Sequence, residues 1–95
     1  MKTIHRYVLA INIQPQEDSY VEMPDGAEIL EIQHSRFGGM NLEIWAIVDT
    51  EASMVKKQFL VYGTGKTLPN YDFGIYRATV TTHSGQFVWH IFEVL

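Results

Sequence analysis

Hydrophobic and polar residues alternate along this chain in short stretches that end at residues typical of turns. A period of two is the pattern of a β-strand with one buried face. Pro24-Asp25-Gly26 is an example of the turn chemistry, because proline presets φ and glycine accepts a positive φ. The pattern predicts seven strands, at residues 3–13, 19–23, 28–34, 41–49, 57–63, 74–82 and 86–94.

The composition supports an all-β fold. Isoleucine and valine together number 17 and threonine 7, against 6 leucines and 5 alanines, and β-branched residues favour strands over helices. Seven short strands with frequent turns predict a small sandwich or a partly open barrel, in a single domain over residues 1–95. One stretch, TEASMVK at residues 50–56, contains good helix formers and is expected to form a short helical turn.

Two of the predicted strands are apolar on both faces. In strand 41–49, Leu42 and Ile44 alternate with Trp45 and Ile47, and strand 86–94 also carries apolar residues in both registers. Such a pattern is typical of a strand that is covered on two sides, yet a chain of 95 residues is too short to cover every strand twice. The second face is expected to meet a second subunit, a ligand or the helical turn. A homo-oligomer is the commonest of these arrangements.

The charge balance and residue usage exclude several classes of protein. Seven basic against 11 acidic residues give a net charge of −4, which argues against broad nucleic-acid binding because such binding relies on clustered Lys and Arg. The absence of cysteine excludes disulfides, thiolate zinc sites and cysteine nucleophiles. No apolar run approaches the roughly 20 residues that span a bilayer. We therefore expect no membrane association and a cytoplasmic location.

The segment Gly63-Thr64-Gly65-Lys66-Thr67 comes nearest to a functional motif. Closely spaced glycines let backbone N–H groups point at an anion, and the lysine supplies a positive charge. A nucleotide-binding P-loop needs a longer spacing between its first glycine and the Gly-Lys pair, followed by a helix. Here only Thr64 separates the two glycines, so the P-loop interpretation fails. Two interpretations remain open: a structural loop after the fifth strand, or a contact with an anionic ligand.

Aromatic residues make up 13% of the chain and concentrate in its later strands. Core filling is the ordinary role of such residues in a small β domain. The sharper hypothesis is a pocket in which an aromatic ring stacks on a planar ligand while a nearby cation contacts a phosphate. Its ligand-binding residues are Tyr62, Gly63, Thr64, Gly65, Lys66, Tyr71 and Arg77, and its ligand is a small anionic or nucleotide-like molecule.

Catalytic and metal chemistry find little support in the sequence. The four histidines lie on separate segments, and none has a second ligand at a recognised metal spacing. No serine lies in a G-x-S-x-G elbow, and the acidic residues, Glu43 and Asp49 among them, are expected at ordinary solvated positions. We expect a non-enzymatic protein with no catalytic residues, no metal and no cofactor.

Several strings together resemble a family of small phage and prophage proteins of unknown function. The resemblance covers most of the chain, in MKTIHRY at residues 1–7, EMPDGAEIL at 22–30, IWAIVD at 44–49, YGTGKTLP at 62–69 and FVWHIFE at 87–93. It implies a viral or prophage origin and action in the cytoplasm of a host bacterial cell. It brings no catalytic or binding residues that can be carried over to this chain.

Two functions are expected on this basis. The first is an oligomeric anti-defence protein that sequesters a nucleotide-derived signalling molecule. The glycine loop, Lys66, Arg77 and the aromatic residues motivate it. The second is a protein–protein interaction module that inhibits a host bacterial protein through an exposed sheet edge or through the second face of the last strand.

Overall fold

A computed structural model describes residues 1–11, 19–70, 74–82 and 85–95 of the chain. Within these ranges the chain forms seven strands and no helix, which confirms the all-β prediction. The strands are β1 (Lys2–Ala10), β2 (Tyr20–Pro24), β3 (Glu28–His34), β4 (Asn41–Asp49), β5 (Met54–Gly63), β6 (Ile75–Thr81) and β7 (Val88–Glu93). The predicted extension of the first strand over residues 12–13 lies outside the described ranges.

The strands form two antiparallel sheets that pack face to face. One sheet has three strands in the order β1-β4-β3, and the other has four in the order β2-β5-β7-β6. β3 lies beside β6, and β1 lies beside β2, at the two sides of the molecule. Because the described strands keep to two separate sheets, the architecture is a sandwich and not a closed barrel. No helix in the described ranges is long and apolar enough to cross a membrane.

The core lies between the two sheets and is built from the residues of one register on each strand. On β4 the inward residues Leu42 and Ile44 are fully buried, and on β7 the inward residues are Trp89 and Ile91. The alternation that predicted these strands therefore also predicts their buried face. The remaining members of the core cluster are Leu9, Ile11, Val21, Met23, Ile32, Phe59, Val61 and Val80.

The prediction of a helical turn over residues 50–56 is wrong. A tight turn joins β4 to β5, in which the Ala52 N–H donates to the Asp49 carbonyl oxygen (3.1 Å) and the Glu51 N–H donates to an Asp49 carboxylate oxygen (3.0 Å). Residues 54–56 then pair with β2, with Val55 opposite Met23. Seven residues cannot form a stable helix alone, and the strand ladder supplies the backbone hydrogen bonds that a helix would have made.

Two glutamates are buried in the sandwich, each held by two cations. The Glu43 carboxylate accepts hydrogen bonds from Arg6 Nη1 (2.6 Å), Arg36 Nε (3.3 Å) and the Arg36 backbone N–H (3.0 Å). The Glu93 carboxylate lies 2.6 Å from Lys57 Nζ and accepts a hydrogen bond from Arg77 Nε (2.8 Å). The expectation that Glu43 is solvated is therefore wrong, because two arginines replace the water that its carboxylate would otherwise need.

Candidate functional site

The outer face of the four-stranded sheet carries the candidate site. Since Trp89 and Ile91 point into the core, the alternate β7 residues His90 and Phe92 point away from the other sheet. Tyr62 on β5 lies opposite His90. The adjacent strand β6 places Tyr76 opposite Phe92 and Thr79 opposite His90. Three strands thus bring aromatic and hydroxyl side chains together on one face.

Three aromatic rings form the floor of the site. The Phe92 ring lies edge-on to the Tyr62 ring at 6.0 Å and to the Tyr76 ring at 5.8 Å, measured between ring centroids. Leu60 and Tyr62 keep only 7% and 9% of their exposure although they point away from the core. The chain itself therefore covers Leu60 and Tyr62 on the outer face of β5, whereas His90 and Phe92 on β7 are only half-buried.

A line of hydrogen bonds crosses the site from β6 to the glycine loop. The Tyr76 hydroxyl lies 2.7 Å from Thr79 Oγ1, which lies 3.1 Å from His90 Nδ1, and His90 Nε2 lies 2.8 Å from Thr64 Oγ1. A neutral imidazole donates from one ring nitrogen and accepts at the other, and a hydroxyl can do either. Both ring nitrogens of His90 are thus satisfied, and the orientation of the ring is fixed.

The glycine loop forms a tight turn at the rim of the site. The Lys66 N–H donates to the Gly63 carbonyl oxygen (3.1 Å), and the Thr64 N–H donates to the Val88 carbonyl oxygen (3.3 Å). Gly65 has a φ of +89°, which an L side chain rarely adopts. Because the N–H groups of Thr64 and Lys66 already have partners, the loop offers an anion chiefly the Lys66 side chain rather than a nest of backbone amides.

Together these elements enclose a cavity of about 230 Å³. Five of the seven residues predicted to bind a ligand line it, and these are Tyr62, Gly63, Thr64, Gly65 and Lys66. The other lining residues are Leu68, Tyr76, His90 and Phe92. The cavity has a mostly aromatic floor, a polar line through His90 and one lysine at its rim. Such a combination suits a flat ring that carries an anionic group.

The other two predicted residues do not join this group. Arg77 does not line the cavity, because a bulge between Tyr76 and Ala78 interrupts the register of β6 and the Arg77 guanidinium donates to the Glu93 carboxylate. Tyr71 lies outside the described residues. Lys66 is therefore the cation at the cavity among the residues that the structure describes.

His90, Tyr76 and Phe92 are site residues that the sequence reasoning missed. All three follow from the alternation of β6 and β7 once the pairing register is known, because the register places them beside Tyr62 on the outer face. A single sequence does not contain that register. No group of three metal-ligating side chains occurs in the ranges that the structure covers.

A protein-family model, described as a domain of unknown function, DUF7352, matches residues 1–95. No curated protein and no solved structure matches the chain. The match spans every residue of the sequence, and the chain belongs to the DUF7352 family.

Proposed function

We propose that this DUF7352 protein is a non-enzymatic binding protein, and that its ligand is a small molecule combining a planar ring with an anionic group. The observation that carries the proposal is the cavity on the outer face of the four-stranded sheet, where the aromatic floor and Lys66 line the same space. The ring lies against Tyr62, Tyr76 and Phe92. The anionic group lies at the rim, near the glycine loop.

The size of the cavity supports a ligand no larger than a mononucleotide. Pockets that enclose drug-sized ligands usually measure about 300–1,000 Å³, and this cavity measures about 230 Å³. A single base fits in such a space, whereas its sugar and phosphate extend past the rim. A dinucleotide would leave most of its surface in solvent unless a second subunit covered it.

The polar line through His90 supports selection among ring systems. Its hydroxyl groups and imidazole already pair with one another, so a ligand that hydrogen-bonds there has to exchange partners with Thr64 or Thr79. A ring edge that carries both a donor and an acceptor can make such an exchange without leaving a partner unpaired. Nucleobases have edges of this kind, and a plain carboxylate has not.

The biological part of the proposal is sequestration of a nucleotide-derived signalling molecule in the cytoplasm of a bacterial host. The resemblance of the sequence to small phage and prophage proteins supports this part, together with the presence of a ligand-sized cavity. A sequestering protein needs a binding site and no catalytic group.

Paired ligands with and without an anionic group test the proposal. We expect 1 mM AMP to raise the melting temperature by several degrees, since a ligand at ten times its Kd stabilises the native state by about 1.4 kcal/mol. Adenosine is expected to bind about 5-fold more weakly, the loss of one exposed charge contact. The variant Lys66→Ala should bind AMP and adenosine equally.

Lys56→Ala is the matched control, because Lys56, on β5, is also an exposed lysine and does not line the cavity. It should preserve the preference for AMP over adenosine. A panel of mono- and cyclic nucleotides at 1 mM that shifts the melting temperature nowhere would refute the proposal, because it would place every Kd above the millimolar range.

Inhibition of a host protein is the alternative, and it has less support. It relied in part on a free apolar second face of the last strand. That face carries Phe92 and His90, which line the cavity and are half-buried, so β7 offers less open apolar surface than its sequence indicates. Binding through an exposed sheet edge stays a prediction without a specific contact to favour it.

A further inference from the structure

The outer face of the three-stranded sheet presents exposed apolar side chains beside the cluster in which Arg6 and Arg36 cover Glu43. On β1 the outward residues Ile4 and Val8 are 58% and 51% exposed. Trp45 and Ile47 occupy the centre of the same face on β4 and are half-buried. Leu30, the extra residue at the β3 bulge, is 49% exposed. Several exposed apolar side chains on one face of a small protein are typical of an interaction site.

Charges on this face are separated between its two edge strands. The β1 strand carries Lys2 and Arg6 in the outward register, and the β3 strand carries Glu28 and Glu31. Two rows of residues cross the face at right angles to the strands. One row is Ile4, Ile47 and Glu28, and the other is Arg6, Trp45 and Glu31.

We propose that a second copy of this chain covers this face, in a symmetric dimer whose two-fold axis runs along β4. Such an axis places β1 of one subunit over β3 of the other and β4 over β4. Arg6, whose side chain stays 40% exposed beside Glu43, then faces Glu31 of the partner subunit. Trp45 and Ile47 pack against the same residues of the partner subunit. The face is self-complementary in charge and apolar at its centre, as a two-fold interface requires.

The alternative two-fold arrangements bring like charges together. An axis across the strands would place β1 over β1 and β3 over β3, so that the basic strand meets the basic strand and the acidic strand meets the acidic strand. Edge-to-edge pairing of β1 would likewise bring the basic residues of two β1 strands side by side, and positive charges on an edge strand oppose such pairing. Of these three arrangements, the axis along β4 is the one that places basic over acidic residues.

The size of the face makes the dimer weak. Strands of nine residues are about 30 Å long, and three strands about 4.8 Å apart give roughly 450 Å² of flat surface. A standard interface buries about 800 Å² on each partner. The dimer is therefore concentration-dependent, and its mass has to be measured from about 1 µM to about 1 mM.

Two substitutions of one exposed residue test the proposal. Ile4 faces Glu28 of the partner subunit, so Ile4→Glu introduces repulsion and Ile4→Lys introduces attraction, whereas in a monomer the two variants lose the same apolar contact. By sedimentation equilibrium, Ile4→Glu should raise the dimer Kd at least 10-fold over that of Ile4→Lys. Adding Glu28→Lys to Ile4→Glu should restore dimerisation.

Equal effects of the two Ile4 variants on the dimer Kd would overturn the arrangement, because they would mean that position 4 does not face an acidic residue of the partner subunit. A chain that stays monomeric up to about 1 mM, or that dimerises with no response to either variant, would overturn the choice of face. Cooperative thermal unfolding of both variants at monomeric concentrations verifies that both fold. The cavity lies on the opposite side of the sandwich, so Lys66→Ala should leave the dimer Kd unchanged, and a failure of ligand binding would not touch this proposal.

Discussion

Both sheets bury a glutamate side chain, but on opposite faces. Each contains one buried glutamate held by two cations, Glu43 in the three-stranded sheet and Glu93 in the four-stranded sheet. Glu43 belongs to the outward register of β4, beside Trp45. Glu93 belongs to the inward register of β7, beside Ile91. The charge cluster therefore occupies the outer face of one sheet and leaves the outer face of the other free for a cavity.

This difference also decides which cations remain available to a ligand. Four of the seven basic residues, Arg6, Arg36, Lys57 and Arg77, are bound to the two glutamates. Arg77 is the second cation of the predicted ligand site, but its guanidinium pairs with the inward carboxylate of Glu93 instead. A net charge of −4 says little about such local pairing, because what matters to an anion is the charge within a few ångströms.

The largest expected effect is on the four-stranded sheet, through Glu93. Glu93→Ala should lower the free energy of unfolding by about 3 kcal/mol, because it leaves two cations mostly buried without a counter-charge. The side chains of Lys57 and Arg77 keep only 19% and 33% of their exposure. Urea denaturation at pH 7 measures the change.

The same substitution at Glu43 is the matched comparison. Its partners Arg6 and Arg36 keep 40% and 61% of their side-chain exposure, so water can solvate them when the carboxylate is removed. Glu43→Ala should therefore destabilise the protein less than Glu93→Ala. The reverse order would mean that the exposure of the cations does not govern how much stability is lost when the carboxylate is removed.

The contrast between the two glutamates also shows where sequence reasoning stops. The alternation of β4 predicts correctly that Leu42 and Ile44 share the buried face and that Glu43 lies on the other. It does not predict that Arg36, from the loop after β3, reaches back to cover Glu43. Burial on an outer face depends on contacts between segments that are distant in the sequence, and those contacts have no local period.

The candidate site likewise contains some residues that the sequence predicts and others that it does not. Its residues from the glycine loop were predictable, because glycine, threonine and lysine at short spacing have a local chemical meaning. Its residues from β6 and β7 depend on the pairing of those strands, which places Tyr76 and His90 next to Tyr62. The missing helical turn has the same cause, since pairing with β2 overrides the weak helix propensity of residues 54–56.

An intermediate effect is expected at Gly74, immediately before β6. Gly74 has a φ of +97°, and a Cβ built there would overlap the backbone carbonyl group of Glu93. Gly65, in the glycine loop, has a similar φ of +89° and open space around its Cβ position. Gly74→Ala should lower the free energy of unfolding by about 2 kcal/mol, and Gly65→Ala should lower it by about 1 kcal/mol, because only the first substitution adds steric overlap to backbone strain.

Thermal unfolding of the two glycine variants measures this difference. Equal losses would indicate that the backbone at Glu93 shifts to accommodate the added methyl group. Gly63→Ala serves as a reference, because its added Cβ would meet the Trp89 ring at 3.4 Å, an ordinary van der Waals distance, with no unfavourable φ.

The smallest effect concerns the acid sensitivity of the three-stranded sheet. The hydrogen bond from the Arg36 backbone N–H, aided by the Arg6 side chain, lowers the pKa of Glu43 below its ordinary value of 4.5. A carboxyl with a lowered folded pKa stabilises the protein fully above its unfolded pKa, and this stabilisation is lost as the pH falls through the folded value. Stability should therefore decline below pH 4.5, and Glu43→Gln should make that decline shallower. The decline persists in part, because the Glu51 backbone N–H and the N-terminal ammonium also lower the pKa of Asp49.

Glu22→Gln, at an exposed position, controls for the loss of one negative charge. If urea denaturation from pH 5 to pH 3 gave the same slope for Glu43→Gln as for Glu22→Gln, the arginine cluster would hold Glu43 in place without favouring its charged form.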